Sequence, residues 1–336
     1  MLCPYIRSSS YGAYEYCALK YFFNYVLGWS EPPNSKAQMG TVVHKVMEVL
    51  AVCKKTLQDE ENPKKTKFSF TDEHIGAISL TKKSLFTKDF VSNVLDKSFD
   101  HYSQKDTTNN YGEKEYNTCA EWVDMGLEYN DGQFDPRNRI ITAPEMEFDL
   151  PIMEDWALDQ NGNRLAIKGT IDLVTQVGED TLEVVDYKTG KRINWATGEE
   201  KTFEKLHDDA QLLLYYYAIS KLFPQYKYVI MTIFFIRDGG PFSLCFDESD
   251  YSKFLSKLEK RYKEILNDSS PKPINKERSD FRCHRLCHFY KNRWPGSNQT
   301  MCHYVEDQIK VYGLDQAIIK CKKPDFDASS YKAPGA

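Results

Sequence analysis

Apolar residues recur at helical spacing over residues 11–27 and 40–54, two aromatic-rich stretches separated by a breaker segment, 28–35, that contains Pro32-Pro33. Residues 59–67 are polar and basic and read as a loop, and helical periodicity resumes over 81–102 and 113–129. Residues 55–135 therefore read as a helical insertion. The pattern then changes to short apolar runs at 140–150, 165–177 and 181–187, with Asn161-Gly162-Asn163 and Gly178-Glu179-Asp180 as turn signals between them. Residues 206–222 return to helical periodicity. Two further strands, 227–236 and 242–246, flank Asp238-Gly239-Gly240, and 251–266 is an amphipathic helix. From 270 to 323 the chain is irregular and cysteine-bearing with one helix near its end, and 326–336 reads as a flexible tail. Helix, meander, helix and strands in that order predict one mixed α/β domain over residues 1–325.

Composition narrows the class. A chain of 336 residues can bury a substantial core. Its longest apolar run, 228–236, is about half the span a membrane helix needs, so no membrane association is expected. The segment 1–7 lacks the apolar stretch of a signal peptide, which makes a reducing, cytoplasmic setting the default. Nine cysteines in that setting point to metal ligation or burial rather than to disulfides. The net charge of −5 argues against a general polyanion binder. Residues 271–323 nevertheless carry eleven basic against five acidic side chains, a local balance of +6 able to face phosphates.

The chemistry gathers on the meander. Asp186 and Lys188 are two positions apart at the end of the apolar run Leu182, Val184, Val185, so both project from one face where a strand leaves a core. Neither is readily buried without a partner. Asp172, on the preceding strand in Gly169-Thr170-Ile171-Asp172, is close enough in sequence for an antiparallel turn to bring the two carboxylates together. Such an oxygen-rich edge suits Mg²⁺ or Mn²⁺. Lys188 beside it is positioned to orient or help deprotonate a water and to stabilise charge on a phosphate.

These residues carry a resemblance. Gly40-Thr41-Val42-Val43-His44, Gly169-Thr170-Ile171-Asp172, Asp186-Tyr187-Lys188-Thr189-Gly190 and Gln211-Leu212-Leu213-Leu214-Tyr215 resemble, in order, the four motifs of the RecB-like branch of the PD-(D/E)XK nuclease superfamily. Ser8-Ser9-Ser10 and Tyr16-Cys17-Ala18-Leu19-Lys20-Tyr21-Phe22 resemble the opening helix of its AddB and CRISPR-associated adaptation nucleases. The resemblance implies a restriction-endonuclease-like core, a central mixed sheet flanked by helices, and a metal-dependent DNA nuclease. It implies His44, Asp172 and Asp186 as metal ligands, Lys188 as the catalytic lysine, and Gln211 and Tyr215 as site-organising or DNA-contacting residues. A supporting carboxylate on the strand before Asp172 is either Glu145 or Glu147. Taken alone, His44 is one helical residue among valines, and Gln211 and Tyr215 are an ordinary i, i+4 pair.

In iron–sulfur members of this branch, one N-terminal and three C-terminal cysteines hold a 4Fe–4S cluster that staples the ends of the domain together. Cys17, Cys283, Cys287 and Cys302 resemble that set, with the departure that fourteen residues separate Cys287 from Cys302, which leaves Cys321 as a substitute. Histidines follow three of these cysteines, so a structural Zn²⁺ site competes. The expected activity is a DNA exonuclease acting on single strands or duplex ends in recombination, repair or phage DNA processing. The alternatives are a structure-specific endonuclease and a catalytically silent binding protein on the same fold. No phosphate-binding Gly-x-x-x-x-Gly-Lys-Ser/Thr loop is present, so a helicase or recombination partner would be a separate protein.

Overall fold

The alternation of apolar and polar residues over the meander builds the centre of the fold in the computed structural model, which describes residues 1, 3–32, 34–62, 64–159, 161–193, 199–238, 240–274 and 281–327. In chain order, β1 (Tyr5–Ile6) precedes α1 (Ser8–Tyr16), α2 (Ala18–Tyr21), a π-helical turn Phe22–Leu27 and the long α3 (Ser35–Gln58). The insertion follows as β2 (Lys67–Asp72), β3 (Gly76–Thr81), α4 (Lys88–Lys105) and α5 (Glu113–Glu128). Next come β4 (Ile140–Pro151), β5 (Ala166–Gln176), β6 (Thr181–Lys188), α6 (Phe203–His207), α7 (Ala210–Leu222), β7 (Tyr228–Phe235), β8 (Gly240–Cys245) and α8 (Glu248–Asn267).

Among the described residues, six strands form one mixed sheet in the order β1-β5-β6-β7-β8, with β4 also paired to β5. β6 runs parallel to β7 and β1 parallel to β5, while β4–β5, β5–β6 and β7–β8 are antiparallel. β6 is buried along nearly its whole length because helices cover both faces. Leu182 and Val184 face a core shared with Phe22, Phe23, Leu213 and Leu258. Val185 and Tyr187 face a second core shared with Val43, Val46, Leu95 and Trp122. No helix among the described residues is long and apolar enough to cross a membrane.

Local structure departs from the periodicity in four places. The N-terminal helical stretch breaks at Cys17, whose extended backbone (φ −165°, ψ 110°) ends α1 and lets its sulfur cap α2 through Lys20 N–H. The insertion is not wholly helical: β2 and β3 form a hairpin in which Phe68 opposes Leu80 and Phe70 opposes Ile78. Among its described residues the C-terminal segment holds two helices of eight residues or more, Met301–Tyr312 and Leu314–Cys321, because Gly313 at φ 79° turns the chain between them. Of the tail, Phe326 packs against Gly28, which caps the π-helical turn at φ 79°, and residues 328–336 lie outside the described residues.

The two ends of the chain meet. Lys323 N–H donates to Leu27 O at 2.8 Å, Trp29 Nε1 to Cys321 O at 2.8 Å, and the Phe23 and Phe289 rings stack at 4.3 Å. Residues 281–323 thereby close onto the N-terminal helices. Lys276 and Arg278, two of the basic residues counted in the sequence, lie outside the described residues.

Candidate functional site

β5 and β6 are paired only from Leu173 opposite Val185 to Gln176 opposite Leu182. Beyond that point β1 takes the edge of β5 at Ala166 and Ile167, so the two central strands fork. Tyr187 N–H donates to Asp172 Oδ2 at 2.8 Å instead of to a strand. The fork sets Asp172, Asp186 and Lys188 together at the rim of the sheet. Lys188 Nζ lies 2.7 Å from Asp186 Oδ2, and Asp186 is 2 % exposed.

Helices fix this pair from either side. On α7, Gln211 Nε2 donates to Asp186 Oδ1 and to Tyr215 Oη, each at 2.9 Å, and the Tyr215 hydroxyl donates to Thr170 O at 2.6 Å. The i, i+4 pair therefore ties Asp186 on β6 to the backbone of β5. From α3, His44 Nδ1 reaches to 3.4 Å from Asp172 Oδ2. Gly40, one turn earlier, lets α3 come this close: a Cβ there would stand 2.5 Å from Thr189 Oγ1 but 3.7 Å from Thr189 Cβ. Gly40→Ala is accordingly expected to push α3 from the strand end, moving His44, and to lower the activity of this centre severalfold. Adding Thr189→Ala should recover most of the loss, because only the hydroxyl is in the way. A double variant as impaired as the single one would show that the Gly40 contact does not position the site.

The charges hold one another. Burial opposes ionisation of His44, but the Asp172 carboxylate outweighs it and raises the imidazole. Asp172 is held below its ordinary value: burial works against its charge, and His44 and Lys188 overcome it. Asp186 goes the other way, raised by burial and by the like charge of Asp172 against the pull of Lys188. Lys188 is raised, burial being outweighed by the two aspartates. Asp186 Oδ2 is buried with no hydrogen bond, its contact with Lys188 being an ion pair off hydrogen-bond geometry.

Sequence reasoning left Glu145 and Glu147 equivalent. The β4–β5 register passes from Pro144 opposite Leu173 to Met146 opposite Ile171, and Glu145 between them sits at φ 41°. Burial, with the charges of Asp172 and Glu48, pushes its carboxyl up to about 8. Glu147 is exposed. Both line a cleft of about 370 Å³ with His44, Asp172 and Thr189, whose far side is formed by His74 and Tyr102 of the insertion. No sequence signal marked His74, or the Lys45, Glu48 and Asp72 cluster beside it, as part of this cleft. A second cavity, about 590 Å³, opens on the Lys188 and Gln211 side against Ser8, Ser9 and Lys257.

Of the cysteines, Cys17 and Cys287 sit at helix N-caps and Cys302 lies in the first turn of Met301–Tyr312. A hydrogen bond from Cys302 brings the Cys287 thiol down to about 7. Cys302 is raised by that same bond, by burial, and by the nearby Cys287, Cys17 and Cys283. Cys321 is fully buried in the core. The neighbouring imidazoles are in ring contacts, His284 and His303 with Tyr290 and His288 with Phe289. Among the described residues, no group of three or more His, Cys, Asp or Glu side chains stands ready to hold a metal ion; at the sheet fork those donors are paired with one another or with Lys188.

Residues 8–291 match the sequence profile of the PD-(D/E)XK nuclease superfamily. No curated protein matches the chain. Among solved structures the chain is similar to the "Putative exonuclease" from Eubacterium rectale, at 9% identity over 81% of this chain and 85% of that one, with a TM-score of 0.46, a likeness too loose to bear on activity.

Proposed function

Because the chain belongs to the PD-(D/E)XK nuclease superfamily, we propose that it is a metal-dependent DNA exonuclease of the RecB-like branch, acting on single-stranded or free DNA ends in recombination, repair or phage DNA processing. The observation that carries the reading is the convergence of Asp172, Asp186 and Lys188 at the fork of β5 and β6, with His44 and Gln211 on either side. Nucleases of this superfamily generally use divalent metal ions. The donor set fits one: two carboxylates and an imidazole, with Asp186 Oδ2 buried and lacking a hydrogen bond. His44, Asp172 and Asp186 would hold Mg²⁺ or Mn²⁺, which supplies Lewis-acid polarisation of the phosphodiester when bound.

The chain's own residues do the rest. Lys188, kept charged by Asp186 and Asp172, orients the attacking water and stabilises the negative charge that builds on the phosphate as the P–O bond breaks. Gln211 and Tyr215 are positioning residues that hold Asp186 against β5. The second part of the proposal is a 4Fe–4S cluster on Cys17, Cys283, Cys287 and Cys302. It rests on the resemblance of these cysteines to the iron–sulfur set, and of the four the Cys287 and Cys302 thiols are hydrogen-bonded to each other. A reducing, intracellular setting and a separate helicase or recombination partner go with this reading.

Digestion of end-labelled linear and covalently closed circular single-stranded DNA with Mn²⁺ tests it. An exonuclease degrades the linear strand and spares the circle, and equal loss of both would replace the exonuclease reading with an endonuclease.

A further inference from the structure

The cleft beside the centre has two unlike walls. One carries His44, Asp172 and Thr189, and the other is the insertion, represented by His74 and Tyr102. His74 sits on the turn between β2 and β3, and that turn is fixed rather than loose. Asp72 Oδ1 accepts from His74 N–H and Ile75 N–H, both at 2.9 Å. Its other oxygen is 3.1 Å from Lys45 Nζ, which is also 2.7 Å from Glu48. Lys45 is 5 % exposed and follows His44 directly on α3. The turn is thus anchored one residue from His44. The His74 ring is backed edge-on by His101 at 5.2 Å and by a Tyr102 ring tilted at 38° at 5.9 Å, with its Nε2 3.4 Å from Glu73 Oε1, so it is held at the cleft on an aromatic bed.

The chemistry of this wall selects what it touches. Glu73 and Glu147 line the same cleft with Glu48, which is paired with Lys45, and these carboxylates repel a phosphodiester backbone. A nucleobase has no charge to repel and offers a flat face to an aromatic ring. Within a duplex that face is covered by its stacked neighbours, so a ring in a cleft serves a base that is unpaired and unstacked. Resting on the reading of the centre as a nucleic-acid site, we propose that His74 is a specificity-determining residue that stacks a nucleobase adjacent to the scissile phosphate, making a single strand the substrate of this cleft. The backbone then runs on the Lys188 side and the bases point to the insertion.

The test is binding, read by fluorescence anisotropy of a labelled single-stranded oligonucleotide in EDTA, with its duplex in parallel, for wild type, His74→Ala and His74→Phe. His74→Ala is expected to weaken single-strand binding about tenfold, toward the low end of what one stacked base contributes. His74→Phe, which keeps a ring and loses both nitrogens, should bind within a factor of two of wild type. Duplex binding should be unchanged. Unaltered single-strand binding by His74→Ala overturns the proposal, and so does a Phe variant as weak as the Ala variant, which would assign the contact to the imidazole nitrogens. Failure of the nuclease reading would instead appear as a wild-type protein that binds DNA and never hydrolyses it.

Discussion

Lys188→Ala is expected to reduce metal-dependent DNA hydrolysis about a thousandfold while the protein stays folded. The lysine is ion-paired with Asp186, and it is raised, not lowered, by its aspartate neighbours, so it acts as a fixed positive charge. On the proposed mechanism, its loss removes the group that neutralises the phosphate and orients water. It also leaves Asp186 buried without its counter-charge, and a carboxyl already raised by burial and by Asp172 responds by holding its proton more tightly. Gln211 still bonds Asp186 Oδ1, which limits the structural damage. Initial rates on a labelled oligonucleotide with Mn²⁺, alongside circular dichroism, check both halves. Undiminished cleavage by the purified variant would remove Lys188 from the mechanism.

The second large effect concerns the cysteines. Protein prepared without oxygen is expected to be brown with broad visible absorption, and Cys287→Ala to lose the colour and melt at lower temperature. Cys287 is the choice because its thiol is already shifted to about 7 and bonded to Cys302, so it supplies thiolate most readily. The effect on stability follows from the contacts. The strands of chain joined at this place, Phe23 against Phe289 and Leu27 against Lys323, hold the N- and C-terminal segments together, and a cluster there would constrain both. Iron and sulfide analysis with the visible spectrum decides it. A colourless wild-type preparation containing zinc would exclude the cluster.

Some of this architecture was legible because its signals are periodic. Asp186 and Lys188 share a face by the strand period of two, and Gln211 and Tyr215 share one by the helical spacing of four. Both spacings survive in the structure as side chains that meet. The fork of the strands was not legible, since it depends on β1, two residues that pair with β5 and look like nothing in sequence. Glu145 was not distinguishable from Glu147 because nothing in the sequence marks its backbone for φ 41°, a conformation a non-glycine residue rarely takes. The hairpin of the insertion escaped notice because Phe68 and Phe70 are answered by Ile78 and Leu80 across a turn, a pattern too short to stand out between helices. The link from Lys45 to Asp72 joins residues far apart in the chain, and only tertiary structure brings a lysine beside His44 to that turn.

The central claim is that this centre hydrolyses phosphodiester bonds with a divalent ion. Incubation of the purified wild-type chain with a 5′-labelled linear single strand, in Mn²⁺ and in EDTA, tests it most directly. Shortened products with Mn²⁺ and an intact strand in EDTA are the predicted result. A folded protein that leaves the strand intact in both, or cuts it equally in both, would contradict the account.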